Sequence, residues 1–153
     1  MNPLAELHSI LERSSDPDNP TAEELRSLFA SVQRIAVIGL SRSPEKAARS
    51  VPSYLAGKGY EIVAVNPNAD RIFGRPAYDR LADVPGAVDM VVIFRPSAEA
   101  DAFVEEALAR PERPAIWLQE GIRADEEIAA ARAAGITAVQ DLCTYRVHSA
   151  LQS

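Results

Sequence analysis

This chain has a single cysteine, Cys143, so it cannot close an internal disulfide. A stapled secreted fold is excluded, and a reducing cytoplasmic setting is expected. It has two histidines, His8 and His148, neither at metal-ligand spacing from Cys143 or from carboxylates, and no metal site is expected. Long apolar runs are missing: IAVIGL and MVVIF fall far short of the roughly 20 residues of a membrane helix. The N-terminal stretch carries acids where a secretory signal would carry bases and then an apolar core, so neither membrane insertion nor export is expected. Basic residues are in the minority, 16 against 22 acids, and the net charge of -6 argues against a nucleic-acid polymer held through overall charge. What is present is ordinary globular material, 153 residues at 47% hydrophobic and 25% charged, enough for one domain with its own core.

The charge is unevenly placed. Residues 1–33 hold six acids and two bases, a net -4. Residues 34–75 hold seven bases, among them Arg42, Lys46, Arg49 and Arg71, against three acids, a net +4. An acidic chain thus carries a basic segment of the kind a single polyanionic small molecule would need.

Residues 1–33 are expected to form a helical extension packed on the domain that follows. Leu4, Leu7, Ile10 and Leu11 recur at helical spacing, DPDNP breaks the pattern at 16–20, and Thr21 with Glu24 forms a capping box for a second helix whose apolar face is Leu25, Leu28 and Phe29. From Arg34 the rhythm changes. IAVIG, EIVAVNP, VDMVVIFRP, AIWLQEG and ITAVQD are short, β-branched and apolar on both faces, as buried parallel strands are. Helices are expected between them over about 48–58, 97–109 (Ser97 as N-cap) and 124–134, with a short one at 78–82. Pro52 falls inside the first and is compatible only with its opening turn. Strands alternating with helices imply an α/β fold over 34–153: a Rossmann-like, doubly wound, mostly parallel five-stranded sheet with helices on both faces.

Such sheets bind ligands beyond the carboxyl ends of their strands, where the strand order switches. The first loop, IGLSRSPEK, has the strand-to-helix position that holds phosphates on backbone amides. It keeps only Gly39 of a G-x-G-x-x-G dinucleotide fingerprint, while Ser41, Ser43, Arg42 and Lys46 supply hydroxyls and positive charge. The second strand ends in Asn66-Pro67 rather than in the acid that holds a NAD ribose. With Asn68 and Arg71 this end suits a neutral or anionic group. Cys143 falls just past the last strand. It is read first as a small buried hydrophobe, with a reactive thiol near Arg146 or His148 as the alternative. Trp117 is expected in the core or pocket wall and His148 in a structural role, and no nucleophile–base spacing marks a catalytic centre.

With these residues in view, about Arg34 to His148 resembles the small stand-alone CoA-binding-domain proteins, related in fold to the N-terminal domain of the succinyl-CoA synthetase alpha subunit. The carrying motifs are IAVIGLSRSPEK, VPSYLAGKGYEIVAVNP, FRP at 94–96, WLQEGIR at 117–123, and Asp141-x-Cys143 followed by His148. The resemblance implies coenzyme A or an acyl-CoA as ligand. Gly39, Ser41, Arg42 and Ser43 would hold its phosphates and Asn66 and Pro67 would border adenosine. Phe94, Arg95 and Pro96 would flank the cofactor across the switch point, and Gln119, Glu120 and Gly121 would form the far rim. The synthetase's catalytic histidine belongs to a further domain, so a binding protein without its own catalysis is expected. The alternatives are an NAD(P)-linked small enzyme, a ligase-like subunit needing a partner, and a thiol redox regulator acting through Cys143. The protein partner is left open, a homodimer among the options.

Overall fold

All five apolar runs form strands: β1 (Arg34–Ile38), β2 (Glu61–Val65), β5 (Met90–Ile93), β6 (Ala115–Leu118) and β7 (Ala138–Val139). The computed structural model describes residues 3–40, 46–72 and 74–152, with Pro3 and Leu4 as backbone only. Two further strands, β3 (Arg71–Ile72) and β4 (Arg75–Tyr78), correct the expected count from five to seven. They pair antiparallel with Arg71 opposite Pro76, and Gly74 lies in the turn at φ +70. This hairpin has no apolar run to announce it, and Pro76 is tolerated because the pair sits at the border of the sheet. Of the short helix expected at 78–82, Tyr78 ends β4 and 79–80 form a bend, and only a single 3-10 turn, shifted to Leu81–Asp83, is present.

The sheet order is β3-β4-β2-β1-β5-β6-β7, parallel except for β3. Strand order leaves β1 in both directions, to β2 on one side and to β5 on the other, which places the switch point beside β1. Side chains along each strand alternate between two cores. Val37, Ala64, Val92 and Trp117 face one, and Ile38, Val65, Ile93 and Leu118 face the other. The first core is covered by α1 (Pro3–Arg13), α2 (Ala22–Ser31), α3 (Ala47–Gly57) and α6 (Thr144–Gln152), through residues such as Leu7, Phe29, Leu55 and Val147. The second is covered by α4 (Ser97–Leu108) and α5 (Asp125–Ala133), through Ala100, Val104, Ile128 and Ala131.

Local signals explain most boundaries. The Thr21–Glu24 capping box is formed, with Glu24 N–H donating to Thr21 Oγ1 at 3.2 Å and Thr21 N–H to Glu24 Oε1 at 3.0 Å. Gly59 and Gly135, at φ +100 and +82, turn the chain out of α3 and α5. Two expectations are corrected. The N-cap of α4 is Pro96, with Ser97 the first helical residue; the Ser97 hydroxyl accepts from Arg123 N–H at 3.0 Å instead of capping its own helix. Pro52 lies beyond the opening turn of α3, in its interior, where burial of Val51, Pro52 and Leu55 outweighs one missing backbone bond. The C-terminal helix α6 was not anticipated.

Candidate functional site

Four predicted site residues form a row across the carboxyl edge, each one position past its strand. Register aligns the last residues of the central strands: Tyr78 with Val65, Val65 with Ile38, Ile38 with Ile93, and Ile93 with Leu118. The pairing continues one residue further. Asn66 N–H donates to Tyr78 O at 2.8 Å, Gly39 to Val65 O at 2.9 Å, Phe94 to Ile38 O at 2.9 Å, and Gln119 to Ile93 O at 3.3 Å. Asn66, Gly39, Phe94 and Gln119 are therefore neighbours because the sheet is in register, although 80 positions separate them along the chain at the extremes.

Each of them has a structural task. Asn66 Nδ2 donates to Leu40 O at 2.9 Å and its Oδ1 accepts from Asn68 N–H at 2.8 Å, so the side chain ties the end of β2 to the first loop. Gly39 has φ +85, and a Cβ there would come within 3.0 Å of Arg95 Cδ. Gln119 is buried, and its Oε1 accepts from both the Thr144 N–H (3.0 Å) and hydroxyl (2.9 Å), pinning the start of α6 to the edge. Phe94 is half-buried.

The remaining predicted residues are spread around this row. Arg95 packs on Gly39 and pairs with Glu99 at 2.8 Å, and Pro96 caps α4. Lys46 is the exposed N-cap of α3, and Pro67 is exposed after Asn66. Gly121 N–H donates to Asp141 Oδ1 at 2.6 Å. Arg71 lies on the border strand β3, with its guanidinium donating to Gly74 O, so it is not brought to the switch point. Ser41, Arg42 and Ser43 lie outside the described residues.

The row opens at its Phe94–Gln119 end into a cleft of about 730 Å³ that also takes in Glu120, Ile122 and Cys143. Helix α3 contributes Ala47 and Val51, and α6 contributes Tyr145, Arg146 and Ser149. The outer wall comes from α1, through Glu6, Ile10 and Arg13. Sequence reasoning missed the α1 residues and, on α6, Tyr145 and Ser149; it singled out Arg146 only as a neighbour of Cys143. Helical periodicity indicated a buried face on α1, but nothing in it indicated which loop that face would meet.

A polar junction holds the segment after α1 against the same edge. Asp141, at φ +56, accepts from Ser15 N–H and Ser15 hydroxyl, both at 2.7 Å, besides Gly121 N–H. Arg123 donates to the Ser15 hydroxyl at 2.6 Å. Asn19 bonds Gln140 at both backbone groups (2.8 and 3.0 Å), and buried Asp16 accepts from Gln140 Nε2 at 3.0 Å and pairs with Arg132 at 3.1 Å. Burial alone would raise the Asp141 carboxyl, but the Ser15 and Gly121 N–H groups, the Ser15 hydroxyl and the Arg123 charge hold it below the ordinary value. The Asp16 carboxyl is held low in the same way: burial raises it, and the Asp18 N–H, Gln140 and Arg132 outweigh that. Because both native values are depressed, their contribution to stability is present above the unfolded value and lost as pH falls through the native ones. The expected result is a steepening fall in Tm below about pH 4. Asp141→Asn, which tolerates the positive φ, should show a lower Tm at neutral pH and a shallower acid limb. Matching curves for wild type and variant in a calorimetric pH series would refute this assignment.

His148 is buried in a ring cluster, accepting or donating at 2.8 Å to Tyr54 and lying edge-on to Phe29 at 5.0 Å. Burial, then the Lys58 charge, lower its pKa. Among the described residues no group of three or more His, Cys, Asp or Glu side chains could hold a metal ion, and no helix is long and apolar enough to cross a membrane.

Strand order and the two helical layers together define a mostly parallel α/β domain with helices on both faces and a switch in strand order at β1. The chain belongs to the CoA binding domain family, whose model matches residues 33–149. It is 33% identical over 131 residues to the uncharacterized protein YneT of Bacillus subtilis, covering 86% of this chain and 96% of that one. It is also 31% identical over 109 residues to the ADP-forming acetate–CoA ligase II of Archaeoglobus fulgidus, covering 70% of this chain but 16% of the ligase. Among solved structures, cell-free ID.343 from Thermus thermophilus superposes with a TM-score of 0.80 at 36% identity, covering 86% of this chain and 99% of that one.

Proposed function

We propose that this chain binds coenzyme A or an acyl-CoA along the carboxyl edge and holds the cofactor without transforming it. The observation that carries the reading is continuity. The row Asn66, Gly39, Phe94, Gln119 crosses the switch point and runs into the Phe94–Gln119 cleft, in a domain of the CoA binding family. An elongated ligand with phosphates at one end and a thiol at the other fits such a path. Gly39, Ser41, Arg42, Ser43 and Lys46 take the phosphates, where a strand-to-helix loop offers amides and the local charge is positive. Asn66 and Pro67 border the adenosine, and Phe94, Arg95 and Pro96 flank the pantetheine arm. The thiol end reaches Gln119, Gly121 and Cys143. Holding without catalysis agrees with the use made of the polar groups near that end: Asp141 and Gln119 are occupied by backbone and hydroxyl donors that fix neighbouring segments. The ligase relative matches over 16% of its length, so its activity is not carried over.

Calorimetric titration with CoA, dephospho-CoA, NAD and NADP tests the reading. CoA is expected to bind most tightly. Arg42→Ala should weaken it by roughly 1.5–3 kcal/mol, the size of a charge-assisted phosphate bond. If NAD or NADP binds as tightly as CoA, the reading fails; if Arg42→Ala leaves the affinity untouched, Arg42 does not contact phosphate.

A further inference from the structure

Resting on that reading, we propose that residues 3–19 are a strap that closes the thiol end of the cleft and limits the size of the acyl group it accepts. Two sets of contacts carry this. Glu6, Ile10 and Arg13 lie about one helical turn apart on a single face of α1, and that face lines the cleft together with Val51 and Phe94. The wall belongs to a segment that precedes the stretch matched by the family model, which begins at residue 33. The strap is also fastened in its middle and at its C-terminal end. Leu7 and Ile10, 2% and 7% exposed, bury themselves in the first core. Residues 14–19 are bonded to Gln140 and Asp141 at the end of β7.

Asp141 holds a left-handed backbone conformation at that anchor, which Asp adopts more readily than most non-glycine residues. Its carboxylate gains three donors in return, two of them from Ser15. A wall packed in this way has a definite position and does not give freely. The cleft behind it is lined by both kinds of side chain, apolar Ile10, Val51 and Phe94 and charged Glu6, Arg13 and Arg146. That combination accepts a short alkyl thioester and excludes one whose chain would have to displace α1.

The test is calorimetry on the full chain with CoA, acetyl-CoA and octanoyl-CoA, in wild type, Ile10→Ala, Arg13→Ala and Ser15→Ala. Wild type should bind octanoyl-CoA at least about tenfold more weakly than acetyl-CoA, within the range a steric pocket achieves per added methylene. Ile10→Ala, by enlarging the cleft, and Ser15→Ala, by removing the hydroxyl that bridges Asp141 and Arg123, should each cut that ratio by about threefold or more. Should Ile10→Ala fail to fold, Ser15→Ala and the exposed Arg13→Ala carry the comparison. CoA binding with the same acyl ratio in wild type and variants would overturn the strap and leave the CoA reading standing. Absence of CoA binding to wild type would overturn the CoA reading itself.

Discussion

Trp117→Ala is expected to remove about 3–5 kcal/mol of folding stability, a large part of what a domain of this size possesses. Trp117 is fully buried on β6, its Nε1 donates to Leu142 O at 2.7 Å, and its ring centroid lies 5.4 Å from that of Phe29. Truncation leaves a cavity in the first core between β6 and the helices that cover it, and it orphans a buried carbonyl. The indole also ties together parts distant in sequence, since Leu142 precedes α6 and Phe29 belongs to α2. Urea unfolding followed by circular dichroism, which does not depend on the lost fluorophore, would measure the loss. Trp117→Phe should retain most of the packing and lose chiefly the hydrogen bond. A loss under about 1 kcal/mol for the alanine variant would contradict the packing described above.

Gly39→Val is expected to damage the ligand edge more than any other single change. The residue holds φ +85, where a β-branched side chain is strained, so a stability loss of about 1–2 kcal/mol should follow from the backbone alone. Its new Cβ would also press on Arg95 Cδ at 3.0 Å and displace that side chain. On the CoA reading, affinity should fall by tenfold or more, about 1.4 kcal/mol, because the phosphate loop departs from this residue. Retention of wild-type affinity in a folded Gly39→Val would place the phosphates elsewhere.

The elements legible in the sequence were those whose own residues carry the signal. IAVIG and MVVIF are apolar on both faces and could only be interior strands, and Thr21 with Glu24 caps α2 through atoms three residues apart. The β3–β4 hairpin was not legible, because Arg71, Ile72, Arg75 and Pro76 form neither an alternating nor a continuous apolar pattern; sheet-edge pairing holds them there. Gly39, Asn66, Phe94 and Gln119 could each be singled out as strand-end residues, yet their order side by side follows from strand register. DPDNP looked like a simple helix break. In the fold, Asp16 and Asn19 are instead bonding residues whose partners, Gln140 and Arg132, lie more than a hundred positions away.

The scarcity of cysteine, histidine and long apolar runs, with the apolar rhythm from Arg34 onward, was enough to settle an α/β class and to direct attention to the strand-end loops. These are local properties: periodicity, turn chemistry and charge act over a few residues, and a linear text records them. Which residues meet across the edge, that α1 and α6 wall the cleft, and that Ser15 closes on Asp141 were decided only in three dimensions. Contacts of that kind depend on sheet order and register, which no single segment encodes.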